Sequence, residues 1–506
     1  MENCDEVYPL HRLDMPKAQA AFQVWTFLFN DQLDAKKLCE SLSRLAEIGD
    51  WRKIGGRIRR SKDGYFEIHC PRIFTVERPA VTFSHDDDYR DNSISEHPLG
   101  SRFPRSTNLD EVTSIPYDSE LQNLAIRTSF PTSIDDVIGK DAPILSLHVV
   151  TFSDSTIVGL SWPHILTDAF GIRVLLHSWS LVLAGRESDV PPVLSAKQDI
   201  AYEVEKQINQ GDVEHPSIVP AQDLIINKHR MSKGQLLQFL VRYMCSAYGK
   251  QGFERRLVYL PKRAVDALVD TTRQEADNSS VEMGVKEEGL YISRGDAITA
   301  WFSALVYTLQ PKPRDISILS LVNLRYRLQP LLPTTEIAGS SGFHLQNLFL
   351  VSHMKLVAEV DLGKDRSVGS IAVKTKRQAH LQTQQDQLTG LLRLACSKIT
   401  PGKNLSVLYG GVKDNMILVN NMIRMDFFTA VDFSPAVARQ RDLSSSRKNP
   451  PGTIISFLFG YLNDRVPRAS ALTMLGSDHS GGHYLIMSME PKHWHAVDAE
   501  LLNLCK

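Results

Sequence analysis

His164 and Asp168, four residues apart in the stretch SWPHILTDAFG, are the side chains of this sequence whose types and spacing best suit chemistry. An imidazole with a pKa of about 6.5 is largely neutral near pH 7 and accepts a proton readily, which is the task of a general base. The spacing alone decides little: with 16 histidines in 506 residues, chance supplies about one His-x-x-x-Asp, and one is present. A satisfied structural histidine is the competing reading of His164. Asp168 has a competing reading too, as a helix N-cap stabilised by the first turn and the helix dipole. Ser293 and Arg294 open another helix, with Asp296 three residues after the serine. That pattern is a capping box, and a helix N-terminus carrying an arginine also suits a phosphate. The sequence has no G-x-G-x-x-G, P-loop, H-E-x-x-H or G-x-S-x-G, which removes the simplest nucleotide, zinc-protease and serine-hydrolase readings.

The elements that must position these residues follow from hydrophobic periodicity. Two apolar runs, Ile144–Phe152 and Thr156–Trp162, read as buried strands joined by the turn Ser153-Asp154-Ser155. His164 follows the second run, behind Pro163, and Asp168–Ala184 then reads as a helix closed by Gly185. A strand-to-helix loop is a common place for a reacting side chain. Upstream, FQVWTFLF reads as a strand, LDAKKLCESLSRLAEI as a helix, and the segment after IGGRIRR as a hairpin turning at Lys62-Asp63-Gly64. Residues 85–120, rich in Asp, Ser, Pro and Arg, read as a long surface loop, and 186–255 as a crossover. The second half restarts with strand RRLVYLP and helices KRAVDALVDTTRQ and SRGDAITAWFSALVYTL. Strands around ISILSLVNL and GFHLQNLFLVSH follow, then a polar helical stretch from Ser367 to Ala395 and further strands. Strands mixed with helices in both halves predict α/β layers in each.

Composition narrows the function classes. Hydrophobic residues make up 42% and charged residues 23%, enough apolar material for two cores. The 57 basic and 58 acidic residues leave a net charge of −1, with neither the basic stripe of a nucleic-acid binder nor a polybasic run to hold a membrane. No stretch reaches the roughly 18 apolar residues of a span, and MENCDEVYPL lacks a secretory signal's apolar core. Cys4, Cys39, Cys70, Cys245, Cys396 and Cys505 are scattered without metal-ligand spacing, so reduced thiols and a cytoplasmic location are expected.

PHILTDAFGIRVLLHSWSLVLAGR resembles the His-x-x-x-Asp segment of the BAHD acyltransferases, with its Trp-containing helix and terminal Gly. Other segments match that family in order. IGGRIRR and DGYFEIHC resemble its early Gly-Arg segment, and YISRGDAITAWFSALV its helix opening Ser-x-x-Asp-Ala. VNLRYRLQPLLP resembles its Asn-x-Arg-x-Arg segment, and GFHLQNLFL the Gly-Asn strand after it. VDFSPA, at Val431–Ala436, sits where the family has Asp-Phe-Gly-Trp-Gly. The resemblance spans nearly the whole chain and is closest to the fungal branch that decorates secondary metabolites. Two departures stand out: Ser434, Pro435 and Ala436 replace Gly, Trp and Gly, and the glycine expected directly after Asp168 is displaced to Gly171.

The resemblance implies two chloramphenicol-acetyltransferase-like α/β domains with an active-site channel between them. Their expected extents are 1–185 and 256–506, joined by 186–255, with 367–398 returning to the first domain. It implies that His164 activates a hydroxyl or amine of a small hydrophobic metabolite against an acyl-CoA thioester, most simply acetyl-CoA. No cysteine or serine near His164 reads as an activated nucleophile, which fits direct transfer in a ternary complex. Asp168 is expected to point away from substrate into a salt bridge with Arg325, whose competing reading is a surface strand residue. Asp432 and Phe433 are expected to be structural. Ser293, Arg294 and Ser434 are candidates for CoA binding, and Ser434 with the amides near Asp432 for the oxyanion. Trp162 and Phe170 flank the motif and are expected in the core, with a place in the acceptor pocket as the competing reading. No metal and no resident cofactor are expected, acyl-CoA being a co-substrate. A monomer is expected, with no nucleic-acid or membrane partner. Two alternatives stay open: a carrier-protein thioester as donor, or a catalytically silent metabolite-binding or regulatory protein of the same fold.

Overall fold

The run FQVWTFLF forms the strand Phe22–Phe29, buried at every residue, inside a five-stranded sheet of this computed structural model. Its order is Ile454–Tyr461, Phe22–Phe29, Thr156–Pro163, Ser146–Thr151, Thr82–Asp86. Only the last pairing, with Thr82–Asp86, is parallel. The three inner strands are buried on both faces, which is why they read as continuous apolar runs. The structure describes residues 5–504 apart from 63–64, 106–109, 129, 132, 211–218, 248–251, 283–290, 329–331, 333–335, 338–339, 364–365, 400–406, 442–446 and 463–468. The turn expected at Lys62-Asp63-Gly64 therefore lies in part outside the described residues.

A seven-stranded sheet organises the second half. Its order is Phe349–Leu356, Ile316–Asn323, Asn415–Asn421, Ser470–Ser477, His483–Met489, Glu254–Leu260, Thr113–Pro116. Each half is thus an α/β layer, and the two exchange edges. Ile454–Tyr461 comes from the C-terminal part of the chain but pairs with Phe22–Phe29. Thr113–Pro116 comes from the N-terminal part but pairs with Glu254–Leu260. That second strand falls inside the stretch expected to be a surface loop. Four residues ending in proline at a sheet edge carry no usable period.

Residues 367–398 divide between two surroundings, the second of which includes Leu13 of the first half. Val368–Gln382 packs on Lys262–Glu282, where Gly369 lies so close that an added Cβ would stand 2.4 Å from the Ala276 amide nitrogen. Gln385–Lys398 packs instead on the crossover helix Ile200–Gln210 through Leu388, Leu391 and Leu392. In the first half Ala169–Leu183 packs on Ala35–Leu45, and Trp179 Nε1 donates to Ser41 Oγ at 2.8 Å. Gly185 ends the motif helix with φ of 70°, the left-handed cap its position predicts.

Candidate active site

His164 leaves the strand Thr156–Pro163 and is 7% exposed, at the junction of the two halves. Its amide donates to the Ala21 carbonyl at 2.9 Å, and its own carbonyl accepts from Asn347 Nδ2 at 2.8 Å. The imidazole stacks on Tyr461, ring centres 6.1 Å apart, with Phe349 at the same distance on a tilted plane. Burial holds the ring pKa below its ordinary value, opposed by hydrogen bonding to its own backbone, the Asp168 charge and Asn347. Such a ring is neutral at pH 7 and free to take a proton.

Asp168 points away from that ring. One carboxylate oxygen accepts from the Gly171 amide at 3.1 Å, which makes Asp168 the N-cap of Ala169–Leu183. The other accepts from Arg325 Nη1 at 2.9 Å and from the Leu348 amide at 3.0 Å. Both readings of Asp168 hold together, as cap and as ion-pair partner. Arg325 is 4% exposed, so its reading as a surface residue is set aside. It also donates to the His344 carbonyl at 2.9 Å and the Gln346 carbonyl at 2.5 Å, and its guanidinium lies 4.9 Å from the Phe170 ring centre.

These bonds explain why residues 342–348 are not the strand that GFHLQNLFLVSH predicts, which begins only at Phe349. The carbonyls of His344 and Gln346 are taken by Arg325, and that of Leu345 by Thr167 Oγ1 at 2.5 Å. The Leu348 amide is taken by Asp168, and the Asn347 amide by Asp14 Oδ1 at 2.9 Å. A backbone committed to side chains cannot also make a ladder. Gly171 permits this approach, since a Cβ there would stand 1.8 Å from Thr167 Oγ1 and 2.8 Å from the Leu345 carbonyl oxygen. The displaced glycine of the motif therefore has a packing reason of its own.

Asn347 was not singled out as a site residue, although it lies in a segment that the resemblance covers. Its side chain joins Asp14 Oδ1 at 2.8 Å to the His164 carbonyl. Asp14 is fully buried, and burial raises its pKa to about 6 despite nearby Lys53 and its hydrogen bonds to Asn347 and His11. Nothing local marks Asp14, which meets Asn347 across 333 positions of sequence.

A cavity of about 650 Å³ opens beside this constellation, lined mostly by the second half. Phe170, Asn323 and Tyr326 line it next to Arg325, whereas His164 itself is not among the lining residues. Phe170 thus serves both packing and the cavity wall, while Trp162 is wholly buried against Trp25. Ser293 and Arg294 reach the cavity. Ser293 keeps its capping box, donating to Asp296 Oδ2 at 2.6 Å while accepting from the Asp296 amide. Arg273, Arg327, Lys376 and Arg424 add positive charge to the same wall, which also carries Asp266, Asp270 and Asp296, the last paired with Lys376 at 2.7 Å; the excess of cations suits phosphate.

The second motif lies elsewhere. Phe433 is buried between Phe29, stacked at 5.5 Å, and Trp179 at 4.5 Å. Asp432 is exposed and accepts from the Ser434 amide at 3.0 Å. Ser434 is exposed and does not line the cavity, so the geometry brings it to neither His164 nor the basic wall. Gly452, at φ of 72°, sits under this turn, where a Cβ would meet the Ser434 amide at 2.2 Å. Among the described residues no group of His, Cys, Asp and Glu could hold a metal ion.

No family model matches the chain. It is 29% identical over 514 residues to the O-acetyltransferase PaAT-2 of Phomopsis amygdali, spanning 99% of this chain and 98% of that one. Further curated fungal proteins named as acetyltransferases are 26–28% identical over 97–99% of the chain. A more distant relative, calD of Penicillium decumbens, is named a transcriptional regulator and is 24% identical over 98% of this chain and 95% of its own. Among solved structures, TRI101 of F. sporotrichioides, complexed with coenzyme A and T-2, shares the fold. The TM-score is 0.63 at 14% identity, covering 98% of this chain and 97% of that one.

Proposed function

We propose that this chain is a BAHD-type acyltransferase that moves an acetyl group from acetyl-CoA to a hydroxyl of a small hydrophobic metabolite. The observation that carries this reading is His164, buried and biased to the neutral state beside a cavity walled by arginines and a lysine. The names of the acetyltransferase relatives support the acyl group, and PaAT-2 supports a hydroxyl rather than an amine as acceptor.

In this reading the acceptor oxygen attacks the thioester carbonyl while its proton passes to the His164 imidazole. The tetrahedral oxyanion collapses, the C–S bond breaks, and the imidazolium returns the proton to the departing thiolate. The products are an ester and free CoA, and no covalent acyl-enzyme is needed. Asp168, Arg325 and Asn347 touch no reacting atom; they fix the loop that aims the ring. Ser293, Arg294 and the other basic wall residues hold the phosphates of CoA.

The test is acetyl-CoA turnover against a panel of hydroxylated hydrophobic acceptors. His164→Ala is expected to lower kcat by about two to four orders of magnitude with an unchanged melting curve. Wild-type turnover in that variant would remove His164 from the base role. The name of calD favours a second reading, a regulator that binds metabolite without turnover. Acetyl-CoA binding with no acetylation across the whole panel would favour that reading.

A further inference from the structure

The helix Lys233–Ala247 carries an apolar face that nothing among the described residues covers. Leu237, Leu240, Val241 and Met244 are 63%, 46%, 52% and 68% exposed. Their spacing of three, one and three residues sets them on one stripe of the helix. The helix is fixed with that stripe outward. Leu236 and Phe239 are half-buried on its inner side, and Arg242 donates to the Val412 carbonyl at 2.6 Å. Its first turn is preformed by reciprocal bonds between Ser232 and Gln235 at 2.9 and 3.3 Å.

Charge identifies the occupant. Residues 224–253 contain Lys228, Arg230, Lys233, Arg242 and Lys250 and not one Asp or Glu, in a chain whose 57 basic and 58 acidic residues otherwise balance. Lys233 lies on the apolar stripe itself, one turn before Leu237, and Lys228 and Arg230 are exposed just ahead of it. A second copy of this chain would oppose one basic rim to another. A narrow stripe of aliphatic side chains edged by lysine and arginine has instead the form of a helix that lies in the plane of a lipid surface. We propose that Lys233–Ala247 seats the protein on an anionic bilayer, its four apolar side chains among the acyl chains and Lys233, with the exposed Lys228 and Arg230, against the headgroups. The absence of a long polybasic run, which predicted no membrane partner, does not bear on this geometry, because the basic residues are gathered around a hydrophobic anchor. This surface is distinct from the proposed acetyl transfer and does not depend on it.

Cosedimentation of the full-length protein with lipid vesicles tests the proposal without any activity readout. Binding to vesicles of equal parts phosphatidylcholine and phosphatidylserine is expected, weaker by about tenfold on phosphatidylcholine alone and reduced by salt. Leu240→Glu/Met244→Glu is expected to lose at least about tenfold in binding while keeping the wild-type melting curve, since both positions are exposed. Lys233→Glu should weaken binding to the anionic vesicles alone. Failure of the wild type to bind anionic vesicles, or undiminished binding by the double variant, overturns the proposal. So would light scattering that shows a dimer dissolved by the same double substitution without vesicle binding, which would assign the stripe to a second copy.

Discussion

Burial separates His164 from an ordinary surface imidazole, and it acts on the reaction in a definite direction. Desolvation disfavours the imidazolium, so the ring pKa lies below 6.5 and the base is already unprotonated at pH 7. Because only the neutral ring accepts a proton, kcat is expected to rise with pH on the acid side, with its inflection below about 6.5, and to be flat above about 7.5. An inflection above 6.5 would mean that the ring is not held in this environment during turnover. Asp168 and Arg325 answer to a different measurement. Asp168→Ala leaves a guanidinium that is 4% exposed without its carboxylate, and is expected to lose about 3–5 kcal/mol of stability in denaturant titrations. Asp168→Asn, which keeps an acceptor for the Gly171 amide, should lose less. His164, Asp168 and Arg325 were legible because they sit in segments that resemble a family. Asn347 lay in such a segment too, yet its part depends on Asp14, 333 positions away. No local pattern reports a contact of that reach.

At the scale of elements, several strands and helices of each half were legible where one apolar pattern ran for eight residues or more. FQVWTFLF, the motif helix and the helix Arg294–Thr308 all fall where their sequences predict. Residues 342–348 fail that reading for a physical reason. Their apolar pattern suits a strand, but their carbonyls and amides are committed to Thr167, Arg325, Asp14 and Asp168. Side-chain demand from the first half overrides local propensity in the second. This seam is tight at Gly171, where even one methyl group would collide with Thr167 Oγ1 and the Leu345 carbonyl. Gly171→Ala is therefore expected to cost about 1–3 kcal/mol and to lower kcat more than it raises KM, since it moves the loop that aims His164. Equal stability and turnover in Gly171→Ala would show that the seam yields without cost.

The whole molecule joins its halves by exchanging edge strands, Ile454–Tyr461 into one sheet and Thr113–Pro116 into the other. Neither exchange was legible, because pairing partners 140 or more residues apart leave no trace in composition or period. One consequence is that buried titratable groups in both halves bear on a common fold. Burial depresses His11, His148, His164 and His483, and pushes His353 down to about 4. An unfolded histidine titrates near about 6.5, so between that value and the lower folded one the unfolded chain binds more protons. Stability from these groups is thus complete above pH 7 and is lost as pH falls below about 6.5. His353 contributes on the order of 3 kcal/mol of that loss at its limit. Asp14 acts in the opposite sense. Its folded carboxyl is raised from 3.8 to about 6, so it binds a proton in the folded chain across that window and resists the acid loss. The denaturation midpoint is accordingly expected to fall steadily from about pH 7 to pH 4.5. His353→Gln should make that slope shallower and Asp14→Asn should make it steeper. The comparison rests on slopes rather than absolute midpoints, because both substitutions also disturb packing. Parallel slopes in all three proteins would show that neither group is held in the fold at the protonation described.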